Sequence, residues 1–153
     1  LEPKKIIVLS SAPEIRYPDC YGIDMARLED LIAFEAALEL HKDRGTYDIV
    51  AQIYHKCLAQ KHKPDDQIIN YVKELYAPFS SEELTQKIVQ LLRPETMTCQ
   101  LDIIFQSVEN LHEACPKNLG DWYFTGNYPT VGGNRVVNQA FINFYEGNKE
   151  RAY

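Results

Sequence analysis

The sequence lacks the features that mark membrane-spanning, secreted and nucleic-acid-binding chains. No apolar run approaches the roughly 20 residues that a membrane-spanning helix needs, and the first residues do not have the layout of a signal peptide. The formal net charge is -6, which disfavours nucleic-acid binding because contacts with phosphates need clustered Lys and Arg. We therefore expect neither a membrane nor a nucleic acid as a partner.

Cysteine and histidine are too scattered to suggest a metal site. The four cysteines form no C-x-x-C pair, and a chain with a sizeable core does not need disulfides. We therefore predict free thiols, a cytoplasmic location and no metal ligands, with each histidine at the surface or on the side of a helix. The residues concerned are Cys20, Cys57, Cys99, Cys115, His41, His55, His62 and His112.

The apolar patterning predicts a single domain over residues 1–153, of α/β class with a helical majority. Ile6–Leu9 is a short apolar run rich in β-branched residues, typical of a strand buried on both faces of a parallel sheet. Leu101–Phe105 and Trp122–Thr125 are further strand candidates. Because the chain opens on a strand without an upstream neighbour, we expect a partial sheet, removal of upstream sequence, and an exposed edge that favours self-association into a homo-oligomer.

Helical periodicity covers most of the remaining sequence. The stretch of about 36–79 has few strand signals, and we predict that it is an all-helical insertion within the domain. Ser80 and Glu83 have the spacing of a capping box. The predicted helices are one from Met25 to about Lys42 with Asp24 as N-cap, one over Asp48–Gln60, one from Pro64, one from Ser80 to Pro94, a short one over Val108, Leu111 and His112, and a last one capped by Asn134 with its buried stripe from Val136 to Tyr145.

No set of residues receives a catalytic assignment from spacing alone. Asp65-Asp66 lacks the Gly and Thr residues whose backbone N–H groups bind phosphates, so it indicates the acidic first turn of a helix. Gly132-Gly133 is interpreted as a flexible turn rather than an anion site. The aromatic cluster of Trp122, Tyr123, Phe124 and Tyr128 is more typical of a core than of a base-stacking platform.

Three segments of the sequence resemble a known protein family, and this resemblance indicates a function where residue spacing does not. The segment from Ser10 through Pro13-Glu14-Ile15-Arg16-Tyr17-Pro18 to Asp24-Met25, continuing to Leu31-Ile32-Ala33, resembles the late part of the amidophosphoribosyltransferases. Ile104–Leu111 resembles the final strand-to-helix passage of that family, and Phe124–Thr130 resembles its aromatic-Gly-aromatic segment. The helices around 47–76 fall outside the resemblance.

The resemblance implies a C-terminal piece of a two-domain enzyme of purine synthesis. In that family an N-terminal glutaminase domain frees ammonia from glutamine, and a phosphoribosyltransferase domain adds it to Mg-bound phosphoribosyl pyrophosphate. The glutaminase and the phosphoribosyl pyrophosphate loop are not in this sequence, so we expect the piece to be inactive alone. By resemblance, Tyr21 and Asp24 would lie in the hood over the active site, and Leu31 would face the ammonia channel.

Some members of the family hold an iron–sulfur cluster through cysteines, and the positions that correspond here are Asp19, Gly120 and Tyr123. We therefore expect no cluster. Two alternatives remain open: a non-catalytic paralogue with the same fold, and an interaction module that docks through the helical segment 47–92.

Overall fold

The computed structural model describes residues 3–23, 25–117 and 120–152 of the chain. This part of the chain is helix-rich with a two-stranded parallel sheet, in agreement with the predicted α/β class. None of its helices combines the length and the apolar character that a membrane crossing requires. The elements in chain order are β1 (Lys5–Leu9), α1 (Ile32–Asp43), α2 (Ile49–Ala59), α3 (Lys73–Tyr76), α4 (Ser81–Leu92), β2 (Gln100–Ile104), α5 (Val108–Ala114), α6 (Trp122–Thr125) and α7 (Gly133–Glu146).

The two strands pair in parallel, with Lys5 opposite Gln100 and Leu9 opposite Ile104. The neighbour that β1 needs therefore comes from downstream, across a long helical connection. The expectation that β1 is buried on both faces is wrong, because Ile7 is 53% exposed and Leu9 is 74% exposed. The described helices pack mainly on one another and α4 contacts β2, so the apolar side chains of β1 stay open to solvent.

The hydrophobic core lies among the helices. α1 packs on α4, and α2 packs on α7. Phe34 of α1 meets Phe141 and Phe144 of α7 edge to face, with ring centroids 6.0 and 4.8 Å apart. Val50, Ile53, Val72 and Leu75, from the stretch of about 36–79, are buried in the same core. These helices therefore share the core that supports the rest of the fold.

The first long helix begins at Ile32, later than the predicted start at Met25. A 3₁₀ turn over Leu28–Asp30 comes first, and Leu31 takes the N-cap position in an extended conformation. Leu28 and Leu31 are both buried, and a 3₁₀ turn brings residues three apart onto one side. Core packing therefore sets this start, whereas the predicted cap, Asp24, lies outside the described residues.

The segment Trp122–Thr125 is a short helix, so the prediction of a third strand there is wrong. The Asp121 carbonyl accepts the N–H groups of Phe124 and Thr125, each at 2.9 Å, and Gly126 ends the helix in the left-handed conformation with φ +68°. The aromatic residues favour a strand only where a neighbouring strand is present to pair with them. Here the Tyr123 carbonyl accepts the backbone N–H groups of Arg16 and Tyr17 instead.

The helix predicted from Pro64 is interrupted. A 3₁₀ turn over Asp65–Gln67 gives way to extended backbone, and α3 covers only Lys73–Tyr76. Side-chain amides replace the missing helical hydrogen bonds: Gln60 accepts from the Ile69 N–H at 3.0 Å and donates to its carbonyl at 2.9 Å. Asn138 also donates to the Ile69 carbonyl, at 2.8 Å. Buried backbone groups need such partners. The two side-chain amides supply Ile69 with the hydrogen bonds that a neighbouring strand would otherwise provide.

The predictions for His41 and Asn134 have different outcomes. His41 lies on the side of α1, one of the two predicted places, and is buried there, with Nε2 2.8 Å from the Leu75 carbonyl oxygen and Nδ1 2.9 Å from the Thr46 hydroxyl. The last helix begins at Gly133, and Asn134 does not cap it but donates to the Ile68 carbonyl. The capping box of Ser80 and Glu83 is confirmed.

Candidate functional site

A cavity of about 920 Å³ lies where both strands end. The carboxyl ends of parallel strands meet at one edge of a sheet, which is where open α/β folds bind ligands. β1 leads into the segment 10–18 and β2 leads into Phe105–Ser107, and both segments contribute to the lining. The first turns of α4 and the end of α6 complete the walls.

The segment 10–18 is fixed by its own side chains and by α6. The Ser10 hydroxyl donates to the Ala12 carbonyl at 2.8 Å and accepts from its N–H at 3.3 Å. Pro13 and Pro18 keep the backbone out of a helix. The Tyr123 carbonyl accepts the backbone N–H groups of Arg16 and Tyr17, so the segment is attached to α6 where it lines the cavity.

Glu14 and Arg16 form an ion pair in the wall of the cavity. Glu14 is 4% exposed, and Oε1 of its carboxylate accepts from both Nε and Nη2 of Arg16. Arg16 Nη2 also donates to the Ser81 hydroxyl at 2.8 Å, and the Tyr76 hydroxyl donates to the Arg16 carbonyl at 2.7 Å. The pair therefore connects the segment after β1 to the start of α4 and to α3.

Asp19 organises the loop that follows. Its side chain is fully buried, and Oδ2 accepts the backbone N–H groups of Tyr21 at 2.8 Å and Ile23 at 2.7 Å. Oδ1 accepts from the Tyr123 hydroxyl at 2.7 Å. Burial raises the pKa of Asp19, but the hydrogen bonds from Tyr123 and from the loop backbone outweigh it and hold the pKa below its usual value. Gly22, with φ +105°, allows the tight turn around the carboxylate.

The three candidate residues from the resemblance occupy different surroundings. Tyr21 is 44% exposed, with its hydroxyl 3.0 Å from the Thr130 hydroxyl and its ring edge-on to Trp122 at 5.3 Å. Leu31 is buried in the helical core. Asp24 lies outside the described residues. Tyr21 is thus placed as a surface residue of the loop, and Leu31 as a packing residue at the start of α1.

The four cysteines are free. Burial and the neighbouring Asp19 carboxylate raise the pKa of Cys20, and burial raises the pKa of Cys57 to about 12. Both thiols are therefore protonated at neutral pH and are poor nucleophiles. In the described part of the chain, no group of three or more His, Cys, Asp or Glu side chains has the arrangement of a metal site.

The sequence analysis gave no role to Glu14, and it treated Asp19 only as a position that lacks a cluster cysteine. A signal for Asp19 existed, because Asp is favoured at the first position of a turn and Gly22 stands at the fourth. Glu14 offered no such signal, since its burial and its pairing with Arg16 depend on α4 and α6 packing over the segment.

The comparisons agree with the resemblance over a short stretch. Amidophosphoribosyltransferases from Haemophilus influenzae and Pasteurella multocida are each 61% identical to this chain over 31 residues. That stretch is 20% of this chain and 6% of each relative. No family model matches the chain, and no solved structure matches it.

Proposed function

We propose that this chain is part of an amidophosphoribosyltransferase-related protein of purine biosynthesis. The observation that carries the proposal is the 61% identity to two such enzymes over 31 residues. The location of the cavity supports it, because the site lies at the carboxyl ends of parallel strands, where α/β enzymes bind their substrates. In this proposal the loop anchored by Asp19 and carrying Tyr21 forms part of the hood over the active site.

The rest of the parent protein would supply the glutaminase and the phosphoribosyl pyrophosphate loop with its Mg²⁺. The outer edge of β1, which no strand of the described residues covers, supports this part of the proposal. Ser10 N–H donates to the Ile104 carbonyl and the Lys4 carbonyl accepts from Gln100, so the alternate residues Lys5, Ile7 and Leu9 direct their backbone groups away from β2. A further strand on that edge would complete a buried parallel sheet, and pairing of β1 with a second copy of the chain would give the expected homo-oligomer.

The residues at the corresponding cluster positions do not fit an iron–sulfur cluster. Asp19 and Tyr123 are hydrogen-bonded to each other, and neither is the thiolate that such clusters require. The hydrogen bond joins the loop to α6 at the place where the resemblance puts two cluster ligands. We therefore propose that the parent protein is of the cluster-free kind.

A second candidate is a non-catalytic paralogue with the same fold. The observation that favours it is that the helical stretch of about 36–79, which the resemblance does not predict, contacts the site elements directly. The Tyr76 hydroxyl donates to the Arg16 carbonyl, and the Asn70 amide donates to the Gly126 carbonyl at 3.2 Å. These added helices could have changed the reaction that the site supports.

Glutamine-dependent formation of phosphoribosylamine by the full-length parent protein, with phosphoribosyl pyrophosphate and Mg²⁺, separates the two candidates. We expect turnover, and we expect Asp19→Asn to lower it by on the order of 10- to 100-fold because the hood loop loses its anchor. Asp48→Asn, an equal change of charge on an exposed residue of the added helices, serves as the control. A full-length protein that binds substrate but gives no turnover would contradict the enzyme proposal and favour the paralogue.

A further inference from the structure

The outer edge of β1 has the features of a strand that pairs with a further strand. No strand of the described residues covers it. The backbone N–H and C=O groups of Lys5, Ile7 and Leu9 point outward there, because the residues between them bond β2. Ile7, Val8 and Leu9 are also exposed. Pairing with another strand would satisfy these backbone groups and would cover part of the apolar surface.

β1 carries few of the features that keep the edge strands of natural proteins single. Prolines, bulges and charged side chains have that effect, but Ile6–Leu9 is apolar throughout, and its register with β2 is unbroken. Lys5 is the one charged residue of the strand, and it forms an ion pair with Asp102 of β2. The other outer edge of the sheet is less suited to pairing, because Asp102 stands in the middle of β2 and α4 packs on that strand.

The sequence of β1 suits antiparallel pairing with a second copy of itself. In such a pair, two residues directly opposite each other exchange both of their backbone hydrogen bonds. With Ile7 opposite Ile7 of the second copy, Lys5 lies opposite Leu9, so all the outward residues of β1 find a partner within the other β1. No like charges face each other in this register, whereas a register centred on Lys5 sets two lysines opposite each other, which is destabilising. Charge and hydrogen bonding therefore favour the register centred on Ile7.

We propose that two copies of this chain pair through β1, antiparallel about a two-fold axis at Ile7, and form one four-stranded sheet. The strand order is β2 and β1 of one copy, followed by β1 and β2 of the other. A sheet of this size is more stable in water than an isolated pair of strands, and a two-fold contact closes on itself as a dimer. This inference rests on the homo-oligomer of the proposed function and not on the proposed reaction. An upstream strand of the parent protein would take the same edge and exclude the second copy.

Sedimentation equilibrium of this chain over a range of concentrations measures the dimerisation. We expect a monomer–dimer equilibrium for the wild type. Ile7→Lys should weaken the dimer by at least about tenfold, because two like charges then face each other at the two-fold axis and an apolar contact is lost. Ile104→Lys is the matched control, because Ile104 is 54% exposed and Ile7 is 53% exposed. Ile104 lies on β2, about 10 Å from the second copy, so its variant should change the dimerisation constant by less than about threefold.

Cysteine variants test the register. In Ile7→Cys the two substituted positions face each other with Cα atoms about 5.5 Å apart, a separation that a disulfide spans. Oxidation by copper–phenanthroline should therefore join the two copies at this position, as peptide mapping against the oxidised wild type would show. In Lys5→Cys the two substituted positions are about 13 Å apart, so they should not be joined.

Three results would overturn the proposal: a chain that stays monomeric, equal weakening by the Ile7→Lys and Ile104→Lys variants, or equal cross-linking of the two cysteine variants. A monomeric chain would leave the outer edge of β1 to a strand of the parent protein. Turnover by the full-length parent is a separate measurement, so failure of the dimer and failure of the proposed reaction are distinguishable.

Discussion

Gly126 and Gly147 offer a matched test of how tightly the site elements pack. Both end a helix in the left-handed conformation, with φ +68° and ψ 18° at Gly126 and φ +69° and ψ 19° at Gly147. They differ in their surroundings. A Cβ on Gly126 would lie 2.7 Å from the Asn70 amide nitrogen and 2.9 Å from Tyr17 Cζ, whereas a Cβ on Gly147 would meet nothing within 4 Å.

The expected cost follows from these two contributions. An alanine in the left-handed region costs about 1–2 kcal/mol at either position, and the smaller entropy of the unfolded chain affects both variants equally. At Gly126 the added methyl must also displace packed side chains, which costs about 1–3 kcal/mol more. We therefore expect Gly126→Ala to lower the free energy of unfolding by about 1–3 kcal/mol more than Gly147→Ala does.

Urea unfolding followed by fluorescence measures this difference. The chain has a single tryptophan, and Trp122 begins the helix that Gly126 ends, so the signal reports on the affected region. The unfolding free energies come from linear extrapolation. If the two variants unfold within about 0.5 kcal/mol of each other, then α6 does not pack against Asn70 and Tyr17 as closely as the structure shows, and this account of the site is wrong.

Three further predictions concern buried polar groups. Gln60→Met leaves the Ile69 N–H without its partner, while Asn138 still donates to the Ile69 carbonyl. Urea unfolding should therefore show a loss of about 1–3 kcal/mol in the free energy of unfolding. Gln52→Met, at an exposed position of α2, should change it by less than about 0.5 kcal/mol, and equal losses would contradict the amide pairing. His41→Leu removes the hydrogen bonds to the Leu75 carbonyl and the Thr46 hydroxyl and should lower the thermal midpoint, by about 4 °C or more, whereas exposed His62→Leu should leave it unchanged. Asp19 has a pKa lowered from 3.8 in the folded state, so its contribution is complete above the unfolded pKa and is lost as the pH falls through the folded pKa. The stability difference between the wild type and Asp19→Asn should therefore be constant from pH 5 to 7 and shrink below about pH 4, and a difference that does not change with pH would refute the role of the carboxylate.

The predictions from sequence succeeded where the determinants are local. The capping box of Ser80 and Glu83, the run Ile6–Leu9 and the run from Leu101 each carry their signal within a few residues, and each has the predicted structure. The same is true of the segment after β1, whose prolines exclude a helix. The likeness to amidophosphoribosyltransferases is also a property of a short stretch, and it was visible without any coordinates.

Tertiary contacts decided the structure of the segments for which the local sequence pattern predicts the wrong element. Trp122–Thr125 has residues typical of a strand, but it is a helix. The Tyr123 carbonyl accepts hydrogen bonds from the backbone N–H groups of Arg16 and Tyr17 instead of from a neighbouring strand. Ile68–Asn70 has helical periodicity, but the amides of Gln60, at the end of α2, and of Asn138, in α7, bond the backbone of Ile69 instead. In both cases the deciding hydrogen bonds join residues far apart in the chain, and periodicity within one segment contains no information about them.

The sequence by itself determined the class of fold, the positions of the two strands and the family resemblance of the segment after β1, whereas the pairing of those strands came from the structure. Only the tertiary structure showed that Glu14 is buried in the wall of a cavity and paired with Arg16, and that the Asp19 carboxylate accepts hydrogen bonds from its own loop and from Tyr123. The physical reason is that burial and hydrogen bonding of a charged side chain depend on which other elements pack over it. For Glu14 and Asp19 those elements are α4 and α6, which lie more than sixty residues further along the chain.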